Sequence, residues 1–232
     1  MSALRNGLAA SALCSLVMGS VACSAVLGHV EVAFHQTVPA AQALEIHSTA
    51  GSVDIVPWNQ PTVEIDARRR GSTTADAEAI TIQVVRSGSK VVITTDLGDS
   101  NSNRTVLYTI HTPAKADLTI DETAGNINVT GWAGSVDVSQ TAGNLDVTMA
   151  RLDAPQHVTL NSTTGNIVLS MPGASSAMID AQATVGSISG GDFGLTVQRE
   201  NLTGASAHGA IGHGAAPVKL TVTTGAISLH RS

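Results

Sequence analysis

Aromatic residues make up only 2% of this 232-residue chain, with two Trp, two Phe and one Tyr. Globular cores usually lean on such rings, each of which buries a large area. The core expected here is therefore narrow and filled by aliphatic side chains from short strands. Charge is also sparse: Asp, Glu, Lys and Arg total 13%, and the formal net charge is −6. That balance disfavours nucleic acid as a partner and gives no electrostatic pull toward anionic membranes. Arg68-Arg69-Arg70 is one short basic run without aromatic neighbours, so a solvated strand end explains it better than a contact patch. Cysteine occurs only at Cys14 and Cys23, which excludes a disulfide framework.

Long apolar runs are missing as well, and the one near the start is short. Met1 to Arg5 carries a single positive charge, Leu8 to Met18 is apolar, and Gly19-Ser20-Val21-Ala22 supplies small residues suited to cleavage. This is the pattern of a signal peptide over residues 1–22, too short for a spanning helix. Small residues just before Cys23 resemble a bacterial lipobox, which makes Cys23 the candidate lipid-attachment residue. Ser20 stands where Leu is commonest, and plain cleavage after Ala22 or Ala25 is the rival. Removing the leader takes Arg5 and no acid, so the mature chain is slightly more acidic.

What the chain does have is repetition. Thr141-Ala142-Gly143-Asn144-Leu145-Asp146-Val147 recurs as Thr49-Ala50-Gly51-Ser52-Val53-Asp54-Ile55, as Thr123-Ala124-Gly125-Asn126-Ile127-Asn128-Val129, and as Thr163-Thr164-Gly165-Asn166-Ile167-Val168-Leu169. Beyond residue 113, glycines at 125, 143, 165, 186, 204 and 225 recur about every 20 residues, the signature of a repeat architecture. Apolar pairs hold fixed places before each glycine: Leu118/Ile120, Val136/Val138, Val158/Leu160, Ile179/Ala181 and Val218/Leu220. Others follow it: Ile127/Val129, Leu145/Val147, Ile167/Leu169 and Ile227/Leu229. Each pair has period two, so its side chains share one strand face. Every unit is then two short strands joined at a Thr-x-Gly corner, where glycine permits the turn. Stacked coils would set Asn126, Asn144 and Asn166 about 4.8 Å apart, within reach of a hydrogen-bonded ladder.

The earlier half alternates less regularly. Strands are expected over 28–36, 62–67 and 106–111, with a hairpin from Ile80 to Thr95 across Ser87-Gly88-Ser89 and a helical turn near Ala75–Ala79. Late in the chain the pattern weakens: Gly190 stands where an aliphatic residue is expected, and Ser206 and His208 fall at inward positions of the Gly204 unit. The segment 190–214 is expected to be irregular. His230-Arg231 is expected to give an open end a charged finish.

These units, the closing Gly204-to-Gly214 segment and Val106-Leu107-Tyr108-Thr109-Ile110-His111-Thr112-Pro113 resemble the bacterial putative adhesin family, a β-strand-repeat domain of unknown function at the cell envelope. The resemblance covers about residues 44–229. It implies a β-solenoid at the bacterial envelope and no catalytic site to carry over.

Candidate chemistry is thin. His208 and His213 lie in a glycine-rich stretch without Cys partners or His-x-x-x-His spacing, so loop histidines explain them better than metal ligands. Asp137 and Asp146 on repeat strands lack the basic subsite or aromatic platform of a glycoside hydrolase. Trp58 and Trp132, each seven residues past a repeat glycine, are either sugar platforms or covers for an apolar corner, the latter favoured. No nucleophile elbow or phosphate loop is present.

The expectation is an all-β chain. Residues 1–22 are the signal peptide, 23–113 an N-terminal β region capping the stack, and 114–232 a β-solenoid, a single-stranded β-helix-like stack of about 20 residues per coil. Its expected role is non-catalytic: an adhesin, scaffold or sensor on the envelope, with no cofactor. Expected partners are the membrane through the lipid on Cys23 and a surface glycan or envelope protein. The alternatives are a carbohydrate-active β-helix enzyme, or a small-ligand or metal binder through 204–214.

Overall fold

Short aliphatic-polar alternation needs cover on one face only, and strands supply it across the described residues. The computed structural model describes residues 29–98, 103–200 and 202–232. The proposed leader over 1–22 and Cys23 lie outside the described residues. In chain order the strands are β1 (Val30–Pro39), β2 (Ala43–Trp58), β3 (Thr62–Gly71), β4 (Thr81–Ser87), β5 (Lys90–Asp96), β6 (Thr105–Pro113) and β7 (Asp117–Trp132). There follow β8 (Val136–Met149), β9 (Val158–Thr164), β10 (Ile167–Met171), β11 (Ala177–Ser189), β12 (Val197–Glu200), β13 (Gly204–Ile211) and β14 (Ala216–Arg231). The one α-helix among the described residues is α1 (Thr74–Ala79). Thr73 starts it with a capping box: its hydroxyl accepts from the Asp76 amide, and the Asp76 carboxylate accepts from the Thr73 amide.

The fold is all-β, a 14-stranded mixed sheet that is parallel through its middle and antiparallel at both ends. β2, β7, β8, β11 and β14 each bend at a repeat glycine, giving one arm before the bend and one after it. First arms align β5, β2, β7, β8, β9, β14 and β11 in parallel register. Second arms align β6, β2, β7, β8, β10, β14 and β11. The apolar pairs named from the sequence fill the space enclosed: Leu118, Ile120, Val136, Val138, Val158, Leu160, Ile127, Leu145 and Ile167 are all buried. Val138 faces Leu160 and Leu145 faces Ile167 across adjacent strands, so each layer roofs the next.

Gly143 shows why the corner admits no other residue. Its φ is 134°, and a Cβ built there would lie 1.5 Å from the carbonyl oxygen of Gly125 one layer away. Backbone thus packs on backbone at the bend, and Gly51, Gly125, Gly143, Gly165, Gly225 and Gly186 repeat the contact from layer to layer. Beside them runs the expected asparagine ladder. Asn144 Nδ2 donates to Asn126 Oδ1 at 3.2 Å, Asn166 Nδ2 donates to Asn144 Oδ1 at 3.2 Å, and the Ala226 amide donates to Asn166 Oδ1 at 3.1 Å.

That last bond marks a departure from the expected order. The layer beyond β9 and β10 is β14, from the end of the chain, and β11 lies outside it. β14 carries aliphatics on both arms (Val218, Leu220, Ile227 and Leu229) and is covered on both sides. β11 has a second arm that stops at Ser189, before Gly190, and suits the outer place. His230-Arg231 therefore ends an interior strand and not an open edge; Arg231 donates to the carbonyl of Asp192 at 3.0 Å. Gly204 is not a corner: β13 runs antiparallel to β11, with Ala205 and Ala207 turned inward and His208 exposed. Small residues at those places let a returning strand close over β11.

The division at residue 113 falls between β6 and β7, and β2 hydrogen-bonds to both. β2 is itself a two-armed layer, with Leu44, Ile46, Val53 and Ile55 buried and in register with β7. β5 and β6 supply the two arms of the layer beside it. Of the basic run, Arg70 Nε donates to Glu31 at 2.6 Å and Arg69 donates to the Ile80 carbonyl at 3.1 Å, while Arg68 stays exposed.

Candidate functional site

On the approach to the corner the strand faces form a groove of about 550 Å³, lined by Ser, Thr, Asn, Gln, Asp, Glu and His side chains. Thr49, Thr123, Thr141, Thr163 and Thr223, each two positions before a glycine, form one row along it. A second row lies four positions before the glycine and runs from His47 through Asp121, Ser139 and Asn161 to Thr221. His47 is held at one end, with Nε2 2.7 Å from Glu45 and Nδ1 3.2 Å from Asp121. Lys90 donates to the same Glu45, and this ammonium, then His47, keeps the Glu45 carboxyl below its usual range.

Between those rows lies a third, three positions before the glycine, whose side chains turn inward. Here the period-two pattern continues from the buried aliphatic pair, yet the residues are Ser48, Glu122, Gln140 and Ser162, at 6%, 4%, 4% and 5% exposure. Both oxygens of Glu122, Oε1 of Gln140 and the hydroxyls of Ser48 and Ser162 have no hydrogen-bond partner among the described residues. Gln140 is pinned, its Nε2 donating to the Gly125 carbonyl at 2.7 Å. In the next layer toward β5, Thr95 is satisfied by the Tyr108 hydroxyl at 2.7 Å. Burial pushes Glu122 up to about 7, offset in part by a side-chain contact with Gln140 that falls short of good hydrogen-bond geometry. Sequence reading passed over this row; the available signal was a polar residue where the alternation demands an inward side chain.

A second groove, of about 620 Å³, lies at the far end of β2 and β6, walled by Trp58, Pro57, Pro61 and Pro113 with Asn59, Gln60 and Lys115 on its rim. The indole of Trp58 is partly exposed, donates to the Thr62 carbonyl at 2.8 Å and leans on His111 at 5.4 Å between ring centroids. Trp132 is 0% exposed and belongs to the core. The two tryptophans, alike in sequence place, thus separate: one wall of a groove, one corner filler.

A model of the family described as Toastrack DUF4097 matches residues 73–230, more than half of the chain. The chain belongs to the Toastrack DUF4097 family. The match takes in α1, the corner layers β7 to β14 and the buried row at Glu122, Gln140 and Ser162; β1, β2 and β3 precede it. Among solved structures the chain has a likeness of fold to a protein with the adhesive description expected from the sequence. A putative cell adhesion protein from Clostridium sporogenes superposes with a TM-score of 0.62 at 14% identity, over 88% of this chain and all of that one. A putative adhesin from Bacteroides fragilis, 14% identical over 87% of this chain and 97% of that one, reaches a TM-score of only 0.29 and adds nothing to the fold comparison. No curated protein matches the chain.

Within this Toastrack DUF4097 scaffold the other residues named from sequence are scattered. Asp137 Oδ2 accepts from His157 Nε2 at 2.9 Å, just before β9, while Asp146 lies on the other arm of β8. His208 sits on β13 and His213 in the turn after it. The one metal-sized cluster among the described residues is elsewhere: His35, Glu64 and Asp66 on β1 and β3, with donor atoms within 4.8 Å of one another. His35 Nδ1 is 2.7 Å from Asp66, which raises the imidazole pKa, and a cross-strand ion pair accounts for this arrangement at a solvated face. No described helix is long and apolar enough to cross a membrane.

Proposed function

We propose that this protein is exported to the bacterial cell envelope and works there without catalysis, as an adhesive or scaffolding surface built on a short β-solenoid. Backbone packing at the glycine corners makes the layers stiff, and a stiff stack presents a fixed surface using few residue types. The leader-like first 22 residues support export, and acylation of Cys23 would tether the chain to a membrane. The likeness to a Clostridium protein described as a putative cell adhesion protein supports the adhesive role.

The observation that carries the binding reading is the Trp58 groove. An indole face flanked by prolines, with amides at Asn59 and Gln60 and an ammonium at Lys115, offers stacking and hydrogen bonding together. That chemistry suits a sugar of a surface polysaccharide, and it favours Trp58 over the buried Trp132 as the platform. Asp137, engaged with His157, and Asp146, on the other arm, offer no paired carboxylates across a cleft, which supports the non-catalytic reading over the hydrolase alternative.

Binding of the purified protein to envelope polysaccharides, compared with Trp58→Ala, tests this. Saturable binding weakened at least about tenfold by the substitution is expected, the loss of one stacking contact of ~1.4 kcal/mol. Equal binding by both proteins would remove the groove from the account. Mass spectrometry of the mature N-terminus decides Cys23: a diacylglyceryl mass supports the tether, and cleavage without lipid excludes it.

A further inference from the structure

We propose that Glu122 and Gln140 form the heart of a hard-cation site at the floor of the polar groove, with calcium as the ion it fits. Five buried polar atoms on four successive layers have no partner among the described residues, and three of them are acceptors once Glu122 is ionised: both oxygens of Glu122 and Oε1 of Gln140. Buried acceptors of this kind are normally satisfied, and a buried carboxylate is normally paired or bound to a metal. Among the described residues no Lys or Arg lines this groove.

The donor set selects the ion. Every available ligand is oxygen, from carboxylate, amide or hydroxyl, with neither sulfur nor a free imidazole; His47 already faces two carboxylates. Oxygen-only sites suit Ca²⁺, which takes six to eight ligands in flexible geometry, better than zinc or copper. Glu122 and Gln140 are register partners on β7 and β8, so their side chains meet across one layer spacing. The bond from Gln140 Nε2 to Gly125 fixes the amide and leaves Oε1 to the ion. Ser48 and Ser162, one layer out on either side, orient water in the remaining positions. The groove, with about 550 Å³ open to solvent, supplies the entry path and that water. A single formal charge places the affinity in the weak range of extracellular modules, about 10⁻⁴–10⁻³ M.

The site is independent of the Trp58 groove, which lies at the other end of the second arms. Its test is calorimetric titration of the chelator-stripped protein with CaCl₂ at pH 8, alongside the urea midpoint with and without about 10 mM CaCl₂, a saturating level for that affinity. One saturable site per chain and a raised midpoint are expected. Glu122→Gln should weaken binding by at least about thirtyfold, while His35→Ala, which breaks the surface cluster on β1 and β3, should leave it unchanged. Gln140→Met, which keeps the volume and removes the amide oxygen, gives a second reading should Glu122→Gln fold poorly. The absence of both a binding heat and a midpoint shift in the wild type would overturn the proposal and leave the row to water. So would calcium binding that survives Glu122→Gln, or that disappears with His35→Ala.

Discussion

Replacing Glu122 by Gln should stabilise this protein at alkaline pH, though it removes a buried polar group's charge and adds no contact area. The carboxyl titrates near 7 in the fold against 4.5 when exposed, because burial disfavours its charged form. The folded state therefore holds the proton more firmly than the unfolded chain does. Stability is highest below about pH 4.5, declines between 4.5 and 7, and stays low above that. The full difference is about 3 kcal/mol, from ~1.4 kcal/mol per pKa unit. Glutamine keeps the size, cannot ionise, and brings an amide donor beside Gln140 Oε1. In chelator-containing buffer, urea titrations should give the two proteins similar stabilities at pH 4.5. At pH 8.5 the variant should lead by about 3 kcal/mol, which for a chain of this size raises the thermal midpoint by ~6–12 °C. Calcium should narrow the gap by stabilising the wild type alone. A difference independent of pH, or a variant weaker than wild type at pH 8.5 without calcium, would show that the carboxylate is already compensated and refute the reasoning.

Other substitutions probe the scaffold. Gly143→Ala should cost at least ~3 kcal/mol by chemical denaturation, since its Cβ meets the Gly125 carbonyl at 1.5 Å, whereas Gly88→Ala, with nothing within 4 Å and only φ of +60° to resist it, should cost about 1 kcal/mol. Asn144→Ala breaks the middle of the exposed ladder and should lower stability by about 1 kcal/mol, with near-UV signals unchanged. Trp132→Ala opens the core at a fully buried site and should cost ~3–5 kcal/mol, against a much smaller loss for Trp58→Ala at its groove wall.

Much of the layer was legible in the sequence because one strand carries it whole. Leu145 and Val147 after Gly143, and Val136 and Val138 before it, state their facing through period two alone, and the asparagine ladder follows from equal spacing. The order of layers was not legible. Each first arm offers a similar aliphatic row, so β9 can pair with β14 or β11 without any change in its own residues, and only the short second arm of β11 hints at the outcome. The layer made by β5 and β6 was hidden for a related reason: its arms come from separate strands and share no glycine bend. Glu122 was legible in principle. The same alternation that buries Leu118 and Ile120 carries on to Glu122, but only Ser48, Gln140 and Ser162 in the adjoining layers reveal a polar row. Trp58 and Trp132 show the limit from the other side, since equal offsets from Gly51 and Gly125 lead to a groove wall in one case and a sealed core in the other.

The insertion of β14 between β10 and β11 is the part of this architecture that repetition alone would not produce, and paired cysteines can test it. With Cys14 and Cys23 replaced, Asn166→Cys with Ala226→Cys places thiols on adjacent layers, where the Ala226 amide now donates to Asn166 at 3.1 Å. Neighbouring strands lie about 4.8 Å apart, within the Cα range of a disulfide. Asn166→Cys with Ser187→Cys spans two layers, because Ser187 pairs with the far side of Ala226. Mild oxidation followed by mass spectrometry should give a bridge in the first pair and none in the second. A bridge between 166 and 187, with none between 166 and 226, would mean that the layers follow chain order and that this account of the stack is wrong.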